Sequence, residues 1–216
     1  AEAVYHNERI LLSGPTAAAK TSLVRFLALM TRNGFSRIGL DGQTDTSELL
    51  GSFILSGVDK EGRPQTNWQD GVLIEALRQG HWILLDEINL ARPEILERVN
   101  SLMDDDASVE LTEHRGEKFI PVRDYWKRFY QYAPNLLPPE MRRQGDQLTD
   151  EDGNALKAEL EDRIANNHFS DPRGRQIKET MERLEKEKNL IPIHPNFKVF
   201  AAQNPSRYAG RKKLSP

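Results

Sequence analysis

Two adjacent carboxylates, Asp86 and Glu87, close an apolar run that begins at Ile83. Upstream, a loop of small residues reads Gly14-Pro15-Thr16-Ala17-Ala18-Ala19 and ends in the pair Lys20-Thr21. An apolar strand precedes this loop and a helix with an apolar face follows it, which is the arrangement of a phosphate-binding loop of the Walker A type. Together the two stretches predict a nucleotide triphosphatase.

Each residue of this pair of motifs has an expected role. Backbone N–H groups of the loop and the helix N-terminus would surround phosphate oxygens, and Lys20 would reach the terminal phosphates. The Thr21 hydroxyl and Asp86 would hold Mg²⁺, and Glu87 would orient the attacking water. The predicted nucleotide-binding residues are Gly14, Pro15, Thr16, Ala17, Ala18, Ala19, Lys20, Thr21, Ser22 and Asp86.

Ala19 departs from the phosphate-loop pattern, which has Gly immediately before the Lys. Glycine lets the backbone pass close to the phosphates with no Cβ in the way. Three interpretations stay open: a functional loop that tolerates Ala19, a loop that has lost much of its nucleotide affinity, or a small-residue turn with no ligand. The acidic strand end downstream argues against the third.

Composition narrows the class of protein. The 216 residues carry a net charge of −3, which gives no electrostatic reason to expect nucleic acid as a partner. No apolar run approaches the roughly 18 residues that span a bilayer, so we expect a soluble protein without a membrane contact. The absence of Cys excludes disulfides and zinc-thiolate sites, and it fits an intracellular, cytoplasmic location.

The pattern of elements predicts an α/β fold. Apolar strands at residues 9–13, 35–41, 81–85 and 197–202 are separated by helical segments, and this favours a parallel sheet covered on both faces. A hairpin at 53–68 interrupts the second helix, because Gly and Pro separate two segments able to be strands. A second hairpin is predicted at 109–122.

Residues 123–190 differ in composition from the rest of the chain. They hold 14 acidic and 13 basic side chains, and this density points to solvent exposure rather than core. Charged helices are predicted at 156–164 and 177–190. An aromatic cluster at 126–132 packs this segment against the core more readily than it stacks nucleic-acid bases, because the surrounding charge is balanced. We therefore expect two parts, residues 1–122 with 191–216 as the nucleotide-binding subdomain and 123–190 as a charged helical insertion.

With these motifs placed, the chain resembles the AAA+ ATPases, in the branch that contains the MoxR-type ATPases, dynein and midasin, and most of all the midasin-type modules. The resemblance rests on the phosphate loop, the acidic strand and five further stretches: Glu48-Leu49-Leu50-Gly51-Ser52, residues 71–80, Leu102-Met103-Asp104-Asp105, His194-Pro195-Asn196-Phe197 and Ala202-Gln203-Asn204-Pro205.

The resemblance implies a three-layer P-loop core with a helix-2 hairpin insert and a hairpin before sensor 1; no helical lid is expected within residues 1–216. It implies that Asn204 is sensor 1, which helps place the attacking water, so that Glu87, Asn204 and Lys20 form the catalytic set. The implied ligands are ATP and Mg²⁺. The implied partners are neighbouring AAA+ modules in a ring or pseudo-ring and a protein substrate, with a VWA/MIDAS-domain protein as one candidate. The alternative is a non-hydrolysing module, altered at Ala19, that serves as a structural or docking element.

Overall fold

The computed structural model describes residues 10–15, 17–103, 107–142 and 150–204, without the side chains of residues 140, 142 and 150. Contacts divide the chain into two compact units, residues 1–103 with 196–216 and residues 104–195. In the described part, no helix is both long and apolar enough to cross a bilayer.

The first unit is an α/β unit whose elements alternate along the chain. In order they are β1 Ile10–Ser13, α1 Lys20–Met30, β2 Phe35–Gly39, α2 Thr46–Leu50, β3 Gly51–Val58, β4 Pro64–Asp70, α3 Val72–Gln79, β5 Trp82–Asp86, a 3₁₀ turn Ile88–Leu90, α4 Pro93–Met103 and, after the second unit, β9 Lys198–Gln203.

Four strands of this unit form a parallel sheet in the order β1-β9-β5-β2. Every residue of β5 is buried, as the uninterrupted apolar run predicts for a strand covered on both faces. One face of the sheet packs Trp82 and Leu84 of β5 against Val24 and Ala28 of α1. The alternate residues of β5 point to the other face and are also buried. The predicted α/β class with a parallel sheet is confirmed.

The hairpin of β3 and β4 stands between α2 and α3, as predicted. Its residues are mostly exposed, and Phe53 packs edge-to-face on Trp68 with ring centroids 5.2 Å apart. Gly51 begins β3 with φ +125°, and a Cβ there would lie 2.4 Å from the Gln69 carbonyl oxygen. Glycine at this position thus lets the chain turn sharply from α2 into the hairpin.

The second unit is built on a three-stranded sheet and a helical segment. Its elements are β6 Val109–Leu111, β7 Glu117–Pro121, α5 Val122–Tyr132, a 3₁₀ turn Pro134–Leu136, α6 Pro139–Arg142, α7 Asp150–Ala165, α8 Pro172–Lys188 and β8 Leu190–Ile193. Strand β7 pairs antiparallel with β6, which forms the predicted hairpin, and parallel with β8.

The expectation that 123–190 lacks a core is wrong. Tyr125 and Phe129 of α5 are fully buried, together with Leu160 of α7 and Ile177 of α8, in one apolar cluster. Trp126 and Tyr132 are partly buried and pack against this cluster. The aromatic residues therefore form the centre of a separate core in the second unit.

The predicted boundaries at 122/123 and 190/191 also differ from the compact units, which divide at 103/104 and 195/196. The reason lies in the strand pairing. Two neighbouring parallel strands need a long crossover connection, and the helical segment is the connection between β7 and β8. The hairpin and β8 therefore fold with the helices rather than with the parallel sheet of the first unit.

Candidate active site

Three neighbouring strand ends bring the predicted site residues together. Strand β1 runs into Gly14, β9 runs into Asn204, and β5 ends at Asp86 with Glu87 following. Strand β9 lies between β1 and β5, and the Gly14 N–H donates to the Gln203 carbonyl at 3.3 Å. Ligands of open parallel sheets bind at this carboxyl edge, and the side chains required by both motifs converge there.

Two residues of the loop after β1 have a left-handed backbone conformation. Ala17 has φ 65° and Ala19 has φ 56°, a region that alanine enters only at a cost. Ala19 is the N-cap residue of α1, and its carbonyl accepts the Leu23 N–H at 2.9 Å. At the Gly14 position a Cβ would lie 3.5 Å from the Ala18 Cβ and 4.0 Å from the Lys20 Cδ, which are ordinary contacts. The backbone conformation therefore favours glycine at 17 and 19 rather than at 14.

The N-terminus of α1 is suited to an anion. No side chain caps it, and no acidic residue lies in its first turn. The first N–H groups of a helix lack intrahelical partners and carry a partial positive charge. Ser22 lies in this first turn and is exposed. Thr16 lies outside the described residues.

Lys20 is folded back onto its own loop. Its ammonium group donates to the Gly14 carbonyl at 2.7 Å and to the Pro15 carbonyl at 3.0 Å. A third bond goes to Oδ1 of Asn204 at 2.7 Å. All three donors of the ammonium are therefore satisfied, and binding a phosphate requires at least one of these bonds to be exchanged.

Asn204 joins the loop to the acidic strand. While Oδ1 accepts from Lys20, its Nδ2 donates to Oε1 of Glu87. Asn204 is only 5% exposed, and these two hydrogen bonds fix the orientation of its buried amide. Glu87 itself has φ 57°, an unusual conformation for a non-glycine residue and one that clusters at functional sites.

Asp86 accepts hydrogen bonds at both of its carboxylate oxygens. Oδ1 accepts the Glu87 N–H at 3.1 Å, and Oδ2 accepts the Thr21 hydroxyl at 3.3 Å. Oδ2 also accepts Nε and Nη2 of Arg37 at 3.0 and 2.8 Å. The site thus balances the two cations Lys20 and Arg37 against the two carboxylates.

The residues present fit a magnesium ion. Mg²⁺ prefers hard oxygen ligands and is usually bound by one or two protein groups together with phosphates and waters. The Thr21 hydroxyl and the Asp86 carboxylate supply such oxygens within 3.3 Å of each other.

Sequence reasoning missed Arg37. Arg37 lies in the short strand β2, where a single charged residue usually indicates a position that faces solvent. In the parallel register Gly39 lies beside Asp86 and Arg37 beside Leu84. A strand with the alternation Phe35, Arg37, Gly39 next to the acidic strand was the available signal, because residues of this spacing share one face.

Comparison with known proteins identifies the family of this chain. The family model described as the AAA domain, dynein-related subfamily, matches residues 9–126, more than half of the chain. Midasin of Dictyostelium discoideum is 42% identical over 104 residues, and midasin of Giardia intestinalis is 40% identical over 121 residues. These matches cover 48% and 56% of the chain and 2% of each midasin.

A bacterial protein is also similar in sequence to this chain. An uncharacterized protein of Staphylococcus aureus is 36% identical over 98 residues, which are 45% of this chain and 37% of that protein. The expected resemblance to AAA modules of the dynein and midasin branch is confirmed, and with it the P-loop fold class. The chain belongs to the AAA domain family, in its dynein-related subfamily.

Proposed function

We propose that the chain is an ATP-hydrolysing AAA module that uses Mg²⁺ and acts on a protein partner within a ring or multi-module assembly. The observation that carries the proposal is the bonded chain Lys20–Asn204–Glu87 beside the Thr21–Asp86 pair. These contacts bring an ammonium, an amide, two carboxylates and a hydroxyl to one edge of the sheet, and the proposal assigns to them phosphate binding, the sensor, the orientation of water and the binding of magnesium.

Nucleotide binding is assigned to the loop and to α1. The N–H groups at the start of α1, which no side chain caps, would donate to phosphate oxygens, and the ammonium of Lys20 would exchange its loop carbonyls for the terminal phosphates. When bound, Mg²⁺ would neutralise charge on those phosphates. Thr21 and Asp86 are the residues that would hold it.

Hydrolysis is assigned to Glu87 and Asn204. A carboxylate at the end of the strand can orient and polarise a water for attack on the terminal phosphate. The Asn204 amide holds Glu87 through Oε1 and reaches Lys20 through Oδ1. Asn204 therefore links the group that activates the water to the group that binds the phosphate.

Assembly and substrate are proposed from the family. The matched region is 2% of each midasin, which favours a module that acts as one part of a larger multi-module assembly. The proposed partners are neighbouring AAA modules and a protein substrate, with a VWA/MIDAS-domain protein as one candidate.

One observation favours the alternative of a non-hydrolysing module. Ala19 occupies a left-handed position, and Lys20 bonds to the carbonyls of its own loop rather than lying open to solvent. Such a loop could serve as structure without nucleotide. Nucleotide titration separates the two functions.

The test compares wild-type protein with Lys20→Ala in a calorimetric titration with ATP and Mg²⁺. We expect Lys20→Ala to weaken binding at least about tenfold, because it removes charge-assisted bonds worth about 1.5 to 3 kcal/mol. Lys60→Ala, which removes one exposed charge from the hairpin, is the matched control and should bind like wild type. Equal affinities for all three proteins would remove the site assignment.

A further inference from the structure

The bond between Arg37 and Asp86 involves the oxygen that a metal ion would need. Arg37 donates twice to Oδ2, at 3.0 and 2.8 Å, and Oδ2 is also the oxygen that faces the Thr21 hydroxyl at 3.3 Å. A cation held between Thr21 and Asp86 would have to share this oxygen with a guanidinium. Two positive groups at one carboxylate oxygen repel each other.

The two side chains of this ion pair differ in their exposure to solvent. The Asp86 side chain is 13% exposed and is further fixed by the backbone N–H of Glu87. The Arg37 side chain is 53% exposed on strand β2. Because about half of the Arg37 side chain is exposed to solvent, it can leave the carboxylate while Asp86 stays in place.

There is room for the released side chain. A cleft of about 540 Å³ is lined by Thr21 and Arg25 of α1 and by Phe35 and Arg37 of β2. Arg25 is exposed and makes no hydrogen bond or ion pair with the described part of the chain. It shares the cleft with Arg37 and has no bond to Asp86, which makes it a matched control.

We propose that Arg37 is a positioning residue that stands in for the metal: it holds Asp86 while the site is empty and gives up Oδ2 when Mg²⁺ and nucleotide bind. This inference rests on the proposed function. Removing Arg37 leaves a nearly buried carboxylate without its cation in the empty state and leaves the metal-bound state unchanged. The magnesium-dependent part of nucleotide affinity should therefore rise.

The measurement is the ratio of the ADP dissociation constant in EDTA to that in excess Mg²⁺, determined by calorimetry on the full chain. Removing any positive charge near the ligand weakens free ADP more than its magnesium complex, because the free nucleotide carries more negative charge, and Arg25→Ala measures this general part of the ratio. For Arg37→Ala we expect the ratio to increase about fivefold, which corresponds to a partly exposed ion pair. Arg37→Gln, which keeps the length of the side chain, should increase it in the same direction.

Arg25→Ala is expected to raise both dissociation constants and to increase their ratio much less than Arg37→Ala does. A ratio for Arg37→Ala that is no larger than the ratio for Arg25→Ala would overturn the inference. A wild-type protein that binds no ADP in either buffer would instead overturn the proposed function. In that case the melting shift produced by Mn²⁺ alone decides, because the inference requires a larger shift for Arg37→Ala than for wild type.

Discussion

Replacing Ala19 by glycine tests the conformation of the phosphate loop. Ala19 has φ 56° at the N-cap of α1, and a left-handed conformation costs alanine about 1 to 2 kcal/mol that glycine does not pay. Glycine has the larger unfolded-state entropy, which offsets about 0.5 to 1 kcal/mol of this gain. We therefore expect Ala19→Gly to stabilise the nucleotide-free protein by roughly 0.5 to 1 kcal/mol, which is a rise in melting temperature of about 1 to 4 °C.

The same substitution should change nucleotide binding for a different reason. Because Ala19 is already left-handed before any ligand binds, its backbone cost is present in both states and cancels from the affinity. What remains is the Cβ beside the phosphate, where overpacking of about 1 kcal/mol corresponds to about fivefold tighter binding for the glycine variant. Differential scanning calorimetry measures the first effect and isothermal titration with ATP measures the second.

Two neighbouring alanines supply controls. Ala17 also has positive φ, so Ala17→Gly should raise the melting temperature, whereas Ala18 does not, so Ala18→Gly should lower it by the entropy cost. A melting temperature that falls for Ala19→Gly would refute the conformational argument. An ATP affinity that is unchanged or weaker would show that the loop accommodates the Ala19 Cβ.

Two further predictions concern the second unit. Replacing residues 104–195 by a Gly-Ser linker should leave a first unit that melts cooperatively, because the replaced segment is a compact unit of its own. Replacing only residues 123–190 should expose β7 and β8 and lower the solubility of the protein. A non-cooperative melt of the 104–195 variant would contradict the division into two units. Hydrogen bonds from Arg173 hold the pKa of Glu159 below its usual range, and Arg163 lowers the pKa of Asp171 to about 2. Because these pKa values are lower in the folded state than in the unfolded state, both groups add stability that is present above about pH 4.5 and lost toward pH 2. Glu159→Gln should therefore reduce the fall in melting temperature between about pH 4.5 and pH 2. An unchanged fall would be inconsistent with this network of ion pairs.

The sequence predicted the part of the site that depends on local pattern. An apolar strand ending in two carboxylates and a small-residue loop ending in Lys20-Thr21 are contiguous signals, and the parallel sheet brings them together. Asn204 could be assigned only by resemblance, because its contacts with Lys20 and Glu87 span 184 and 117 residues. Arg37 was missed for the same reason, since its partner is in another strand.

The core of the second unit was missed because charge density was averaged over 68 residues. The buried positions follow helical spacing instead: Tyr125 and Phe129 are four apart, Leu156 and Leu160 are four apart, and Ile177 lies seven before Leu184. A narrow apolar stripe on a highly charged helix is enough for a core when three such helices face one another. The parallel pairing of β7 with β8 had no local signal.

The most direct test of the proposed ATPase is the single-turnover rate of ATP cleavage by wild type and Glu87→Gln, measured with ATP affinity on the same samples. The substitution removes the carboxylate that orients the water and leaves Lys20, Thr21 and Asp86 intact. We predict similar ATP affinity and a cleavage rate lower by about 10² to 10⁴ in the variant. Equal cleavage rates, or ATP that wild type neither binds nor cleaves, would contradict the assignment of this site as an ATPase.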